Sequence, residues 1–460
     1  MEKTTGKLSR RNLWGYAIGA IPGGLYTIIF NLKYIEFFYD QLKLLPIYFI
    51  IGQIIYMTVN ALNDPILGNV SDRTDYKRWG SRRIVYIKWG ALIFAFCFLL
   101  VWFPWSLTNQ LIIFLHYVIS ICLFDTMFTL IVMVWMALLP EMTSDLDERN
   151  KANFLTGLLG LVVVLPFLII VGEMNPNSDS FRIICIFVAL ISTICLGLVA
   201  YLCKERPELQ TEENFPLLKS VKEVLKSRSF LIYTGYNFMG AINGSIGLSY
   251  LFVYLLILGD GGFLVYLVFG IILGYVSNII CIRLHEKGGW DMRKIILRFG
   301  TIRIIGTFIM LPFILFTDNL LMIYILLIFG TLFSGYGLFN TPLLYLSMDE
   351  DEIKNKVRRE AMFLGMQALF TKPAQSIGPI IATTILTFFL YEQGADIQLP
   401  SAIFGIKILF FLIPAVSTLT SLVFMYIYPL HGDELGRMRT RLQEIHEEKI
   451  SKSDISNVTI

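Results

Sequence analysis

Apolar stretches of about 20 residues, enough for an α-helix to cross a bilayer core at about 1.5 Å per residue, recur along the whole chain between short polar or basic turns. The pattern predicts twelve transmembrane helices, beginning near Leu13, Leu45, Ile84, Gln110, Leu155, Phe181, Ser229, Gly262, Ile295, Leu320, Phe363 and Ile406. These runs are continuous, whereas a membrane β-barrel shows short alternating segments, so a barrel is excluded. The polar first dozen residues lead straight into a full-length span without a small-residue cleavage site, and no removable signal peptide is expected.

Composition agrees with a polytopic membrane protein: of 460 residues, 55% are hydrophobic and 16% charged, with a mean hydropathy of +0.65. The net charge of +3 separates no function class. Its distribution is more informative. The 38 Lys and Arg residues gather in the N-terminus, alternate loops and the C-terminal tail, leaving Lys33, Lys43, Lys88, Arg182, Arg303, Lys372 and Lys407 in helices or on the opposite face. The positive-inside rule then places both termini in the cytoplasm of a multi-pass cell-membrane protein. The longest cytoplasmic connection, 204–228, carries Pro207 and Pro216 and follows the sixth span. It divides the chain into a cytoplasmic N-terminus (1–12), a six-helix half (13–203), the linker itself, a second six-helix half (229–430) and a cytoplasmic tail (431–460). In the tail Leu435, Met438, Leu442 and Ile445 stand at helical spacing and predict a short surface helix. Cys97, Cys122, Cys185, Cys195, Cys203 and Cys281 lack metal-ligand spacing and read as free, buried thiols. A faint repeat relates DRTDYKRWGSRR, after span two, to RLHEKGGWDMRK, after span eight.

Between Asn60 and Arg83 an apolar helix carrying a carboxylate runs directly into a basic turn, NALNDPILGNVSDRTDYKRWGSRR. An acid at mid-bilayer depth costs about 2.5–3.5 kcal/mol on insertion scales, so such acids face a bundle interior or a water cavity and bind an ion, a proton or a substrate. Asn60, Asn63 and Asp64 stand at i, i+3 and i+4, on one face. Pro65 removes a backbone N–H and frees the carbonyl of Ala61. The cluster of hard oxygens suits sodium or lithium. A lone carboxylate could instead carry a proton. Asp125 and Thr129, at i and i+4 near the middle of the fourth helix, offer a second carboxylate and a hydroxyl on one face.

NDPILGNVSDRTDYKRWGSRR and, in the second half, LSMDEDEIKNKVRREAMFLGMQALFTKP resemble the two signatures of the glycoside–pentoside–hexuronide:cation symporters of the major facilitator superfamily. PEMTSDLDERNK, from Pro140, resembles that family's stretch after helix four. The resemblance implies an all-α membrane fold, with twelve helices in two six-helix halves, and solute transport by alternating access. Asn63 and Asp64 match the family's Asn-Asp-Pro, where the acid helps bind the coupling cation, and Lys372 matches the lysine of the second signature. The chain also departs from the pattern. Asn60 stands where sugar-transporting members often place a second acid, Val132 where helix four carries another, Gly23 and Gly24 where a sugar-binding Asp is found, and Leu155 to Leu158 where an Arg is expected. Asp125 is the candidate to supply the charge that Val132 lacks.

The cation set is therefore Asn60, Asn63, Asp64, Asp125 and Thr129, with Na+ or H+ as coupling ion and no other cofactor. Lys372, at a depth similar to Asp64, either balances that charge or snorkels to the headgroups. Trp135 falls where sugar symporters place a ring-stacking aromatic, although a packing role is as good a reading; Tyr236, Asn237, Tyr336 and Asn340 offer polar contacts from the second half. Arg82 and Arg83 opposite Asp145, Asp147 and Asp349 suggest ion pairs closing the cytoplasmic side, each worth about 0–1 kcal/mol at a surface. The expected function is cation-coupled symport of a sugar or glycoside by a monomer embedded in the lipid bilayer. The alternatives are a sodium-dependent symporter of a lysophospholipid and a non-transporting receptor or scaffold. Scattered histidines, no nucleophile motif and no phosphate loop argue against an enzyme, and nucleic acid is not an expected partner.

Overall fold

The computed structural model of the chain describes residues 8–444 apart from 73, 144–145, 206–223, 260–261, 318, 356–359, 396, 439 and 443. Its long helical segments are α1 (Arg10–Gln41), α2 (Pro46–Asp72), α3 (Ile84–Trp102), α4 (Gln110–Met142), α5 (Leu146–Gly172), α6 (Asp179–Leu202), α7 (Arg228–Ser249 and Leu251–Leu258), α8 (Gly262–Glu286), α9 (Met292–Phe316), α10 (Leu320–Asn355), α11 (Glu360–Phe388) and α12 (Pro400–Tyr426). Among the described residues nine helices are long and apolar enough to cross a membrane, or up to ten with the bent pair in α7 taken as one span. The two long helices outside that set, α2 and α11, carry Asn60, Asn63, Asp64 and Lys372; their 27 and 29 residues give ample length.

Local chemistry fixes several helix starts. Asn109 accepts the N–H groups of Leu111 and Ile112 at the start of α4, Ser178 that of Phe181 in α6, and Asn319 that of Leu321 in α10. The breaks also have causes. α1 ends in a π-helical turn, Glu36–Gln41, and α12 contains another, Ile408–Leu412. α10 narrows to a 3-10 turn at Gly335–Phe339 where α8 crosses it. Gly335 donates its N–H to Ser277 Oγ at 2.8 Å, and a Cβ there would stand 2.4 Å from the Ser277 carbonyl carbon, so only glycine fits.

The chain forms two compact units. Unit 1 comprises Met1–Asn214 with Gly247–Val253 and Pro379–Ala402; unit 2 comprises Phe215–Ile246, Tyr254–Gly378 and Ile403–Ile460. Short pieces from the second half of the sequence thus pack into unit 1. The core of unit 1 is aromatic: Tyr26 of α1 stacks on Phe98 of α3 at 4.1 Å and meets Phe94 edge-on at 4.7 Å, while Phe30 meets Phe124 of α4 at 4.7 Å. Phe94, Phe98 and Trp102 recur at four-residue spacing and so share one face of α3. In unit 2 Phe230, Tyr233, Ile295, Phe299 and Met425 build an apolar core, into which the tail sends Leu435 and Met438. Ile445 lies outside the described residues.

Large apolar side chains stay exposed along the outer faces of the helices, such as Leu92, Phe96, Phe154, Phe187 and Phe316. Faces of this kind are lipid contacts in a membrane protein. The cysteines are free, and all but Cys122 are buried. One local expectation is corrected. Lys33 and Glu36 pair at 2.7 Å, but both are buried rather than partly solvated, because Lys33 Nζ also donates to the Gly172 carbonyl at the end of α5.

Candidate functional site

The polar residues of α2 form a ladder on one helix face: Gln53, Tyr56, Asn60, Asn63 and Asp64 follow at intervals of three or four residues, the last two adjacent. Gln53, fully buried, donates to the hydroxyls of Tyr34 on α1 and Tyr117 on α4 at 3.3 and 2.5 Å. One turn along, the ladder engages Asp125. Tyr56 donates its hydroxyl to Asp125 Oδ1 and Asn63 its amide to Asp125 Oδ2, both at 3.1 Å. The Asn63 oxygen in turn accepts from Thr126 Oγ1 at 3.4 Å, and that hydroxyl also reaches the Cys122 carbonyl at 2.7 Å.

Asp125 is therefore tied to α2 through Asn63, the residue beside Asp64. Asn60 and Thr129 are buried, and Asp64 is half-buried. Tyr56 and Thr126 complete the group and were not among the expected site residues, although Tyr56 lies one turn before Asn60 and shares its face. The donors available are carboxylate, amide and hydroxyl oxygens, the ligand set of a hard cation. Among the described residues no group of three or more His, Cys, Asp or Glu gathers as metal ligands.

The candidate solute contacts fall in different settings. Trp135 stacks on Tyr16 at 4.9 Å and donates its indole N–H to the Tyr16 carbonyl at 2.9 Å, which leaves one ring face for a solute. Tyr236 and Tyr336 are buried in the apolar core of unit 2, while Asn237 and Asn340 are half-buried. The Oδ1 atoms of Asn243 and Asn340 are buried without a hydrogen-bond partner among the described residues. Lys372 is half-buried on α11, in unit 2.

At the start of α3 the basic turn is held from below. Arg83 is buried; its Nε meets Glu141 at 2.8 Å, and Nη1 donates to Ser71. Glu205, just past α6, accepts the backbone N–H groups of Arg82, Arg83 and Ile84 at 2.6, 2.8 and 2.7 Å and so caps the first turn of α3. Glu141 and Glu205 were both missing from the expected gate. Of its acids, Asp145 and the side chain of Asp147 lie outside the described residues, and Asp349 is half-buried in unit 2. The far end of α1 has a second cluster: buried Asp40 accepts from the Tyr391 hydroxyl and the Gly394 N–H, each at 2.8 Å, and Gln393 donates to the Leu44 carbonyl at 3.0 Å. Gly394 has φ +70°, and a Cβ there would stand 3.1 Å from Lys43 Cε.

Residues 15–432 match the family model described as MFS/sugar transport protein. Transmembrane protein 180 of Mus musculus is 22% identical, with 94% of this chain and 96% of that protein covered. YagG of Escherichia coli K12, named for glycoside/cation symport, is 21% identical over 92% of this chain and 93% of its own. The sodium-dependent lysophosphatidylcholine symporter 1 of Gallus gallus is 20% identical, with 95% and 90% covered. Among solved structures, a D-xylose-proton symporter superposes with a TM-score of 0.63 at 13% identity, covering 91% of this chain and 97% of that one.

Proposed function

The chain belongs to the MFS/sugar transport protein family and is a multi-pass secondary transporter, and we propose that it couples uptake of a sugar or glycoside to a cation bound at Asp64 and Asp125. The observation that carries this reading is the Asp125 carboxylate held by Tyr56 and Asn63 across the α2–α4 contact. A carboxylate kept inside a membrane bundle has a functional role by default. Here it stands near the place where the family's helix-four acid is replaced by Val132. Asn60, Asn63 and Thr129 complete the oxygen set, and Na+ and H+ are the two ions to separate. Lys372 serves as the coupling residue, and Asn237 and Asn340 as solute contacts, with Trp135 offering one ring face. Both termini face the cytoplasm. The cytoplasmic gate is built around Arg83, with Arg82 and Asp349 at its edges. Coupling follows when the empty and fully loaded forms interconvert between facings and the half-loaded form does not.

A lysophospholipid is the second reading. Full-length similarity to sodium-dependent lysophosphatidylcholine symporters supports it, as does the absence of charged side chains at Gly23, Gly24 and Leu155 to Leu158. Uptake by purified protein in liposomes separates the two. Labelled sugars and lysolipids are offered under imposed sodium or proton gradients, with Asp64→Asn and Asp125→Asn as controls. Gradient-driven sugar uptake lost in both variants supports the first reading, lipid uptake alone the second, and uptake untouched by either variant removes the cation assignment.

A further inference from the structure

Unit 1 has a cavity of about 440 Å³ at the joint between the start of α3 and the end of α6, lined by Trp79, Gly80, Lys88, Trp89, Lys204 and Glu205 among others. Its one carboxylate is already committed, since both Glu205 oxygens accept N–H groups of the α3 first turn. Its two lysines are exposed and have no carboxylate partner among the described residues; Lys88 Nζ instead lies 5.6 Å from the centre of the Trp89 ring. Arg78 lies at the same distance over Trp79, on the cavity rim. The cavity is thus cationic and walled by aromatic rings.

Its position identifies what it would meet. Trp89 is 67% exposed and begins an outward apolar stripe continued by Leu92, Ile93 and Phe96. On α6, Ile194 and Tyr201 are similarly exposed up to the same end. Two lipid-facing surfaces therefore run out at this cavity, at the depth where tryptophan and lysine meet headgroups. Unit 2 repeats the arrangement. At the start of α9 a cavity of about 370 Å³ is lined by Lys294 and Arg298, whose charges lie 5.0 and 4.2 Å from the ring centre of Trp290. Arg293 there is spent on the carbonyls of Met425 and Tyr426. Trp79 and Trp290 are the tryptophans of the two faintly repeated loops, a likeness that solute and cation binding leave unexplained.

We propose that the cavity at the start of α3 is a binding site for the headgroup of an anionic phospholipid, with the phosphate between Lys88 and Lys204 and the acyl chains along the α3 stripe, and that the α9 cavity is its counterpart in unit 2. The site is independent of which solute or coupling ion the protein uses. Its floor is the turn that carries Arg83, so an occupied site bears on the segment holding the buried Arg83–Glu141 pair.

The test is quenching of tryptophan fluorescence in vesicles by phospholipids brominated near the headgroup end of their chains. Brominated phosphatidylglycerol is expected to quench more than brominated phosphatidylcholine at equal mole fraction. Lys88→Gln/Lys204→Gln should weaken the phosphatidylglycerol preference at this site about 25-fold, taking about five-fold for each lysine, and adding Lys294→Gln/Arg298→Gln should abolish it. Lys88→Arg/Lys204→Arg, which keeps the charges, should retain the preference and so excludes a folding defect. Equal quenching by the two lipids in the unaltered protein, or a preference unchanged in the four-fold variant, overturns the proposal. Reversal of the preference by millimolar inorganic phosphate would assign the cavity to a soluble phosphate ester and overturn the lipid assignment.

Discussion

The Tyr391 hydroxyl donates to Asp40 Oδ1 at 2.8 Å, fastening the turn after α11 to the end of α1 across 351 residues of sequence. The Gly394 N–H reaches the same oxygen. Burial, and then the neighbouring Asp40 carboxylate, push ionisation of the Tyr391 phenol far above its ordinary range, so it remains a donor at any working pH. Asp40→Ala would leave both donors without their acceptor, at about 1–3 kcal/mol for each. Thermal unfolding in detergent should fall accordingly, and a cysteine introduced at Thr387 should react faster with maleimide. Tyr391→Phe should lose about 1 kcal/mol. An Asp40→Ala protein with unchanged melting and labelling would show that the fastening contributes nothing.

The Arg83–Glu141 pair is buried, and removing one partner strands the other charge. Arg83→Ala and Glu141→Ala are each expected to cost about 3–5 kcal/mol, and Arg83→Met/Glu141→Leu to recover most of it. Lysine is a poor substitute at position 83, because the guanidinium serves Glu141 and Ser71 from different nitrogens. Melting temperatures of the four variants check this, and raising the salt concentration should change the unaltered protein little, since buried pairs are weakly screened. Equal destabilisation by the single and double variants would refute the pairing argument.

Asp125→Asn places an amide where two donors converge, so one of the bonds from Tyr56 and Asn63 must be lost. Initial uptake is expected to fall at least about ten-fold, the equivalent of about 1.4 kcal/mol, with an altered dependence on sodium or pH. Tyr56→Phe removes a single donor and should cost less. Transport by Asp125→Asn with ordinary ion dependence would remove Asp125 from the coupling site.

Cys203 lies just past α6, where burial pushes its thiol up to about 12. The sign is simple: the raised value keeps the thiol protonated, and the thiolate is the reactive form. Between pH 7 and 9, in units well below that value, maleimide should leave Cys203 unmodified in the native protein and label it after denaturation. Mass spectrometry of the peptide reports the result; rapid native labelling at pH 7 would contradict the burial.

What could be read from the chain was whatever a helix repeats locally. Apolar runs gave the spans, and the offsets of Asn60, Asn63 and Asp64 gave a shared face. Tyr56 belonged to the same periodicity and was missed only because tyrosine is common in apolar helices. Glu141 was beyond such reasoning. In PEMTSDLDERNK it looks like the first acid of a solvated loop, and only the return of α3 beside α4 brings Arg83 to it. Lys33 and Glu36 show the same limit, for an i, i+3 pair has one spacing whether wet or dry. Burial was decided by Gly172, 139 residues further on.

The π-helical turn at Glu36–Gln41 has a consequence for how α1 tolerates change in length. The Leu42 N–H reaches back five residues to the Phe37 carbonyl, so the turn accommodates one residue more than an α-helix would. Each residue of a helix advances by about 100°. Deleting one residue in this stretch would restore ordinary winding and swing whatever follows by roughly that angle, turning Asp40 away from Tyr391 and Gly394 while leaving the apolar face of α1 before Glu36 intact. The angular setting of the acid thus depends on one surplus residue, which makes this turn the place where a single-codon deletion would undo a contact that most substitutions there would spare.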